Sequence, residues 1–274
     1  MNRRNFLHLC GLTGAATCLP DIASGKPALT SLTLGWYCWR GADWLRRPAM
    51  LDDLPTGTWR LLLSFDAIHL AQLASAPASL QTLAQQARKK RVALEWLLGD
   101  PTLASSSGRA ALQKWIARVP AGIFSVIHLD LERAQLPKSM QSNWPAEVVA
   151  TVQAAHRASG LPVGLTTHHR DLHDSAFLKR LAEAGAQEVV PMIYVTNAAR
   201  VSEIAQSLPK TAGLRLSVAQ SVEKALPAAE STFAQGRQKT LAHWRALVGQ
   251  LADEHAADVG ILAQSWEDWQ ECHA

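Results

Sequence analysis

Two carboxyl groups stand one residue apart at the end of an apolar stretch of this 274-residue chain. The stretch is SVIHLDLER, residues 125–133, and the acids are Asp130 and Glu132. In a β-strand, side chains alternate between two faces, so His128, Asp130 and Glu132 would share one face and the apolar residues between them the other. Paired carboxyl groups of this kind can serve acid-assisted bond cleavage, with one group as proton donor. An edge strand with one solvated face would show the same alternation.

Eight apolar segments recur along the chain and predict the strands that would position these acids. They cover residues 31–39, 59–65, 91–98, 124–132, 161–168, 188–195, 213–220 and 258–266. Helical spacing of Leu, Ala, Ile and Val lies between them, over residues 79–91, 108–119, 146–159, 175–185, 200–208 and 238–256. This alternation predicts an α/β fold, a single (β/α)8 TIM barrel over residues 29–274. An open doubly wound sheet is the alternative, but no G-x-G-x-x-G turn follows an early strand.

The carboxyl ends of the predicted strands carry most of the polar and aromatic residues that could do chemistry. In a barrel of this class, these ends and the loops after them form one mouth. Aromatic rings stack on the apolar face of a sugar, and acids and amides bond its hydroxyl groups. We therefore expect contacts to a substrate from Trp36, Trp39, Asp66, Glu95, His168, His169, Asn197, Gln264 and Trp266, beside Asp130, Glu132 and Tyr194.

Several short motifs resemble the chitinase-type barrels of glycoside hydrolase family 18. They are the D-x-E that ends strand four, Met192–Tyr194 on strand six, Trp266 at the close of strand eight, and LGWYCW followed by LLLSFDA near the start. The family motif on strand four reads D-x-x-D-x-D-x-E. This chain retains its last two acids and has Ser125 and His128 in place of the earlier aspartates.

The resemblance implies an exported hydrolase of glycosidic bonds that acts on a polysaccharide or oligosaccharide and needs no cofactor or metal. It implies that Glu132 donates a proton to the leaving oxygen. In the substrate-assisted mechanism, Asp130 would orient an acetamido group of the sugar and Tyr194 would bond that group from the other side. Trp266 would form the floor of the sugar subsite.

Two other kinds of protein stay open at this point. A barrel that binds a glycan without cleaving it would present the same mouth. The segment TTHHRDLHD, residues 166–174, places His169 and His173 four residues apart, a spacing that can bind zinc and would suit a metal-dependent, polysaccharide deacetylase-like hydrolase. No G-x-S-x-G elbow or P-loop motif is present.

The amino-terminal segment NRRNFLHLCGLTGAATCLP, residues 2–20, resembles a bacterial twin-arginine export signal. We therefore assign residues 1–28 to a signal peptide and expect a periplasmic or secreted protein. The segment is too short and too weakly apolar for a stable membrane span.

The composition limits which other classes of binding partner are expected. The formal net charge is +4 and no long basic run occurs, so we expect no nucleic-acid partner. Cys38 and Cys272 are the two cysteines beyond the predicted signal, too few to indicate a disulfide framework. We expect a monomer.

Overall fold

The barrel is seen in a computed structural model that describes residues 32–66, 68–71, 77–255 and 259–273. Its strands are β1 Leu34–Cys38, β2 Thr58–Ser64, β3 Ala93–Leu98, β4 Val126–Asp130, β5 Val163–His168, β6 Ala186–Met192, β7 Arg215–Leu216, β8 Val218–Ser221 and β9 Ile261–Gln264. The predicted export signal, residues 1–28, lies outside the described residues, so the localisation of the protein stays a prediction.

The strands form one closed ring in which every pairing is parallel. Each strand from β1 to β6 pairs with the next, β8 pairs with both β6 and β9, and β9 returns to β1. The short β7 also pairs with β6, so β7 and β8 together form the seventh strand of the barrel, interrupted at Ser217. The chain is therefore a single (β/α)8 TIM barrel, as the sequence predicts.

Helices surround this ring. They are α1 Gly41–Arg46, α2 Ala78–Lys89, α3 Ser106–Ile116, α4 Lys138–Gln141, α5 Trp144–Ser159, α6 Ser175–Glu183, α7 Ala198–Gln206, α8 Arg237–His255 and α9 Trp266–Glu271. Polar side chains satisfy free backbone N–H groups where several of them begin: Ser105 caps α3, Asp174 caps α6 and Ser265 caps α9.

The strands are buried on both faces. Their outer faces pack against the helices in the main core, which contains most of the tryptophans. Their inner faces contribute a smaller apolar layer inside the barrel, formed by Tyr37, Leu62, Leu97, Val190, Met192, Ala219 and Leu262, against which Trp39 and Tyr194 pack. Consecutive residues of one strand therefore serve two separate cores.

Two smaller features bear on the sequence analysis. Cys38 and Cys272 are both buried, and neither is in a disulfide. Among the described helices, none combines the length and the apolar character that crossing a membrane would need.

Candidate active site

Strand β4 directs its polar residues into the barrel. Ile127, Leu129 and Leu131 belong to the outer core. His128 and Asp130 lie on the opposite, inner face, where the ring of His128 meets the edge of Tyr37 at a centroid distance of 5.9 Å. The alternation in residues 125–133 therefore marks a strand with a polar inner face, rather than an edge strand with a solvated one.

Asp130 is a buried carboxyl group at the carboxyl end of β4. Asp130 is only 6% exposed, and its Oδ1 atom has no hydrogen-bond partner among the described residues. Burial raises the pKa of Asp130 to about 8, and the nearby charges of Glu132 and Glu223 act in the same direction. Asp130 therefore holds its proton at neutral pH.

Glu132 and Glu223 flank Asp130 from two different strands. Glu132 follows β4, is half-buried, and accepts a hydrogen bond from the side-chain amide of Gln135. Burial raises the pKa of Glu132, and so does the charge of Glu223. Glu223 follows β8 and accepts a hydrogen bond of 3.0 Å from the Ser221 hydroxyl, but burial outweighs that bond and its pKa is raised as well.

Aromatic side chains form a wall beside the three acids. The ring of Trp39 stacks on that of Tyr37 at 6.3 Å, with an angle of 16° between the planes. Trp39 also covers Gly99, where an added Cβ would lie only 2.6 Å from the indole ring. Tyr194 packs against the same apolar layer, and its phenol has a raised pKa because it is buried and close to Tyr37 and Asp130.

A hydrogen-bonded chain supports this wall from inside the barrel. The hydroxyl groups of Tyr37 and Thr166 are 2.5 Å apart, and Nε2 of His128 lies 2.8 Å from the Thr166 hydroxyl. Nδ1 of His128 lies 3.0 Å from Oε2 of Glu95. The pKa of Glu95 is lowered, and an ionised carboxylate can only accept, so His128 donates to it through Nδ1. The Thr166 hydroxyl contacts both Nε2 of His128 and the Tyr37 hydroxyl, which fixes the orientation of that phenol.

Arg60 connects this chain to the bottom of the barrel. Its guanidinium lies 3.0 Å from Oε1 of Glu95 and forms a bidentate pair with Glu188, at 2.5 and 2.8 Å. The Ser217 hydroxyl also donates to Glu188, at 2.6 Å. Burial acts to raise the pKa of Glu188, but the charge and hydrogen bonds of Arg60 outweigh burial and hold that pKa at about 2. These groups bind one another and form the floor of the site, although Nε of Arg60 has no hydrogen-bond partner among the described residues.

Four of the residues expected at the mouth come together there: Trp39, Asp130, Glu132 and Tyr194. By strand alternation, His168 at the end of β5 and Gln264 at the end of β9 face the same side. Oε1 of Gln264 and Nδ1 of His169 have no hydrogen-bond partner among the described residues. The rings of His168 and His169 are 4.5 Å apart, and burial and the neighbouring basic side chains lower the pKa of His169 to about 4.

Five of the residues expected at the mouth lie elsewhere and have structural roles or are exposed to solvent. Trp36 and Trp266 lie in the main core outside the barrel, with ring centroids 5.2 Å apart. Side chains alternate along β1, so Trp36 points to the opposite side from Tyr37 and Trp39. Glu95 is buried in the floor network. The side chain of Asp66 is 61% exposed and accepts from the backbone N–H of His69, and Asn197 caps α7 through the N–H of Arg200.

Glu223 is the acid that sequence reasoning missed. It stands three residues beyond the predicted end of strand seven, within the sequence AQSVE. Only its proximity to that strand end could have drawn attention to it.

Metal ligation was a further hypothesis for the histidines after β5. Across the described part of the chain, no three or more His, Cys, Asp or Glu side chains are grouped so that they could hold a metal ion.

Two cavities lie away from the acids. One, of about 240 Å³, is lined by the loop before β7 and by Val259 before β9. The other, of about 310 Å³, is lined by residues before β4 and β5, including Pro120 and Leu161. Both therefore open near the amino ends of the strands, opposite the mouth where the titratable groups gather.

Comparison with known proteins supports the fold and nothing finer. No family model and no curated protein matches the chain. A phosphonopyruvate hydrolase in complex with oxalate and Mg²⁺ is 13% identical with a TM-score of 0.48, over 88% of this chain and 77% of that one. Pyruvate carboxylase from Rhizobium etli is 12% identical with a TM-score of 0.50, over 86% of this chain and 23% of that one. Dihydrodipicolinate synthase from Oceanobacillus iheyensis is 9% identical with a TM-score of 0.46, over 88% of this chain and 70% of that one.

The expected relationship to family 18 glycosidases is wrong. No family model of glycoside hydrolases matches the chain, and the pyruvate carboxylase above, with its TM-score of 0.50, is not a glycoside hydrolase. The polysaccharide or oligosaccharide substrate therefore has no support, and neither do the two alternatives that need a glycan. The motif matches were short, and acids and aromatic residues at strand ends are common to many barrels of this fold.

Proposed function

We propose that this barrel is an enzyme that transfers protons to and from a small polar molecule bound at its mouth, with Asp130 as acid and Glu132 as base. The observation that carries the proposal is the placement of Asp130. Its carboxyl group is buried at the carboxyl end of a barrel strand, has an oxygen without a hydrogen-bond partner among the described residues, and stands next to a second, more accessible carboxyl group. In barrels of this class, active sites lie at this end of the strands.

Asp130 suits the role of acid because its surroundings keep the proton on it. Desolvation disfavours the charged form, and the charges of Glu132 and Glu223 disfavour it further. A pKa of about 8 is close to the ordinary working pH of an enzyme, which is where a general acid is most effective. A carboxyl group with an ordinary pKa would already have lost its proton.

Glu132 suits the role of base because it is less buried than Asp130. Two acids whose environments separate their pKa values form a recurring arrangement in acid–base enzymes. A substrate proton would pass to Glu132 while the proton of Asp130 passes to another substrate atom. Exchange with solvent would then return both carboxyl groups to their starting states.

Tyr194 would position the substrate between these groups, and the fully buried Tyr37 would support this side of the site from within the barrel. The hydroxyl of Tyr37 is held by Thr166, and through it by His128 and Glu95. A phenol that is held in this way contributes to orientation at little cost in conformational entropy.

The proposal is tested by proton exchange. The purified protein is incubated in D₂O with a panel of small amines, hydroxy acids, oxo acids and amino acids, and ¹H NMR follows the loss of substrate C–H signals or the formation of product. We expect turnover of at least one compound and a loss of about 10²-fold or more in Asp130→Asn and Glu132→Gln. Glu203→Gln, on the exposed face of α7, is the matched control and should keep the full rate. Turnover at the wild-type rate in Asp130→Asn would overturn the proposal, as would no turnover across the panel.

A further inference from the structure

The three acids at the mouth lack a cationic partner. Among the described residues, no ion pair joins Asp130, Glu132 or Glu223 to a lysine, arginine or histidine. The basic residues next to two of these acids in sequence pair elsewhere: Arg133 with Asp171 at 3.6 Å, and Lys224 with Glu271 at 3.3 Å. The acids therefore repel one another without compensation, and each has a raised pKa.

A second observation points to a ligand at the same place. Oδ1 of Asp130 is buried and accepts no hydrogen bond from the described residues. Leaving a buried polar atom without a partner typically costs about 1–3 kcal/mol, so a buried carboxyl oxygen of this kind usually meets an ordered water, an ion or a ligand. A ligand that donates an N–H or carries positive charge would satisfy this oxygen.

The aromatic wall favours one class of cation. Trp39 and Tyr194 stand beside the acids and are partly exposed, and the faces of such rings attract ammonium groups. Aromatic rings do not ligate hard metal ions, which instead need several oxygen ligands in a close shell. No such group of ligands occurs among the described residues. The combination of acids and rings therefore fits an organic ammonium ion better than a metal ion.

We propose that the mouth binds a small organic ammonium ion, with Glu132 and Glu223 facing its charge, Asp130 beneath it and Trp39 and Tyr194 against its carbon atoms. This inference rests on the proposed acid–base function and names the class of its substrate.

Binding of such a cation must be linked to a proton. Glu132 and Glu223 face the charge of the cation, so its binding favours their ionised forms and releases any proton that they hold, whereas Asp130 beneath it keeps the proton that its acid role needs. Affinity should therefore rise with pH. The other titratable groups that face Asp130 are Glu132 on its own segment, Glu223 after β8, Tyr37 on β1 and Tyr194 after β6. Ionisation of Glu132 and Glu223, whose pKa values are raised, therefore accounts for this rise, and the tyrosines stay neutral because burial raises their pKa values.

The test compares choline with 3,3-dimethylbutan-1-ol, a neutral molecule of the same shape in which carbon replaces nitrogen. Isothermal titration calorimetry on the full chain measures both, together with n-butylammonium, at pH 6 and pH 9. We expect at least one of the two cations to bind 10-fold or more tightly than the alcohol, and to gain about 10-fold in affinity between the two pH values. Titration at pH 6.5 in two buffers with different ionisation enthalpies should show release of a proton on binding.

Variants locate the site. Glu132→Gln and Glu223→Gln should each weaken cation binding by about 10-fold and reduce its pH dependence, Asp130→Asn should leave the pH dependence in place, and Glu203→Gln should change neither. Equal binding of the alcohol and both cations would overturn the inference. Displacement of a bound cation by micromolar Mg²⁺ or Zn²⁺ would overturn it too, since the mouth would then be a metal site.

The two proposals can fail separately. If both cations bind weakly but D₂O exchange occurs on a neutral molecule, the acid–base function stands and the substrate class is wrong. If choline or n-butylammonium binds with the expected pH dependence and nothing is turned over, the mouth is a cation-binding site and the enzyme proposal is wrong.

Discussion

Arg60 and Glu188 form a bidentate ion pair inside the barrel, with Nη1 to Oε2 at 2.5 Å and Nη2 to Oε1 at 2.8 Å. Both residues are almost completely buried. Their charges compensate each other, Glu95 also pairs with Arg60, and the Ser217 hydroxyl donates to Glu188. A buried charge that loses its partner cannot be solvated, so this pair should tolerate substitution poorly.

Glu188→Gln should lower the free energy of unfolding by about 3–5 kcal/mol, since it leaves the charge of Arg60 only partly compensated. Glu203→Gln makes the same chemical change in an exposed pair with Arg200 on α7 and should cost less than about 0.5 kcal/mol. Urea denaturation of both variants at pH 7 measures the difference. Equal losses would show that the buried pair does not stabilise the barrel.

The pair should also lose its effect in acid. The pKa of Glu188 is about 2 in the folded chain, below an unfolded value of about 4.3. Its contribution is therefore complete above the unfolded value and declines as the pH falls toward 2. The gap in stability between wild type and Glu188→Gln should narrow between pH 5 and pH 3, as urea denaturation at several pH values would show. A constant gap would contradict the lowered pKa.

Asp130→Asn should stabilise the protein at high pH. The folded chain keeps the Asp130 proton up to about pH 8, whereas the unfolded chain releases it near pH 4, so the wild type loses stability as pH rises through this range. Relative to the wild type, the variant should gain roughly 3–5 kcal/mol between pH 4 and pH 8. Thermal or urea unfolding at both pH values checks this, and Asp53→Asn, at an exposed acid, is the control. A difference that does not vary with pH would contradict the burial of an uncharged Asp130.

Trp36 and Trp39 should respond differently to the same substitution. Trp36 is buried between β1 and the helices, and its indole N–H donates to the Thr58 hydroxyl at 3.2 Å, so Trp36→Phe should cost about 1–3 kcal/mol of stability and leave choline binding unchanged. Trp39→Phe should cost less than about 1 kcal/mol and weaken choline binding several-fold, because Trp39 is only partly buried and lies at the mouth. Denaturation and calorimetry on both variants separate the two roles. Weakened choline binding in Trp36→Phe would contradict them.

Gly99→Ala should disturb the mouth without unfolding the barrel. A Cβ at this position would lie 2.6 and 2.7 Å from ring atoms of Trp39, and the indole would have to swing away. We expect a shift in tryptophan fluorescence and weaker choline binding, with a change in stability of about 1 kcal/mol or less. Gly249→Ala on α8 is the matched control, because nothing lies within 4 Å of its added Cβ, and it should raise stability by about 0.5–1 kcal/mol. Unchanged fluorescence and binding in Gly99→Ala would contradict the close contact.

The barrel was predictable because its signals are local. The spacing of apolar residues over about ten positions indicates the barrel strands and the helices α2, α3, α5, α6, α7 and α8, whereas the short helices α1, α4 and α9 were not predicted. The alternation in SVIHLDLER correctly placed His128 and Asp130 on one face of β4. Element ends were less certain: the predicted strand 188–195 is β6 Ala186–Met192, because both of its faces are buried and apolar residues continue past its last hydrogen bond.

The composition of the site was only partly predictable. In β1, the sequence WYCW offers aromatic residues to both faces, and nothing local indicates that Tyr37 and Trp39 point inward while Trp36 points outward. Glu95 was expected at the mouth, but it lies two positions below Leu97 and pairs with Arg60 in the floor. A strand buried on both faces carries no hydrophobic contrast from which its inward face could be inferred.

The sequence alone determined that the chain alternates strands with helices around one barrel and that Asp130 and Glu132 stand at the end of its fourth strand, because both depend on residues that are near neighbours in the chain. Only the tertiary structure decided which acids share a site. Glu223 lies close to Asp130 although about 90 residues separate them in the chain, and Arg60 on β2 pairs with Glu188 on β6 across the barrel. Closure of the ring creates these contacts, since it sets the inward face and the depth of every strand at once.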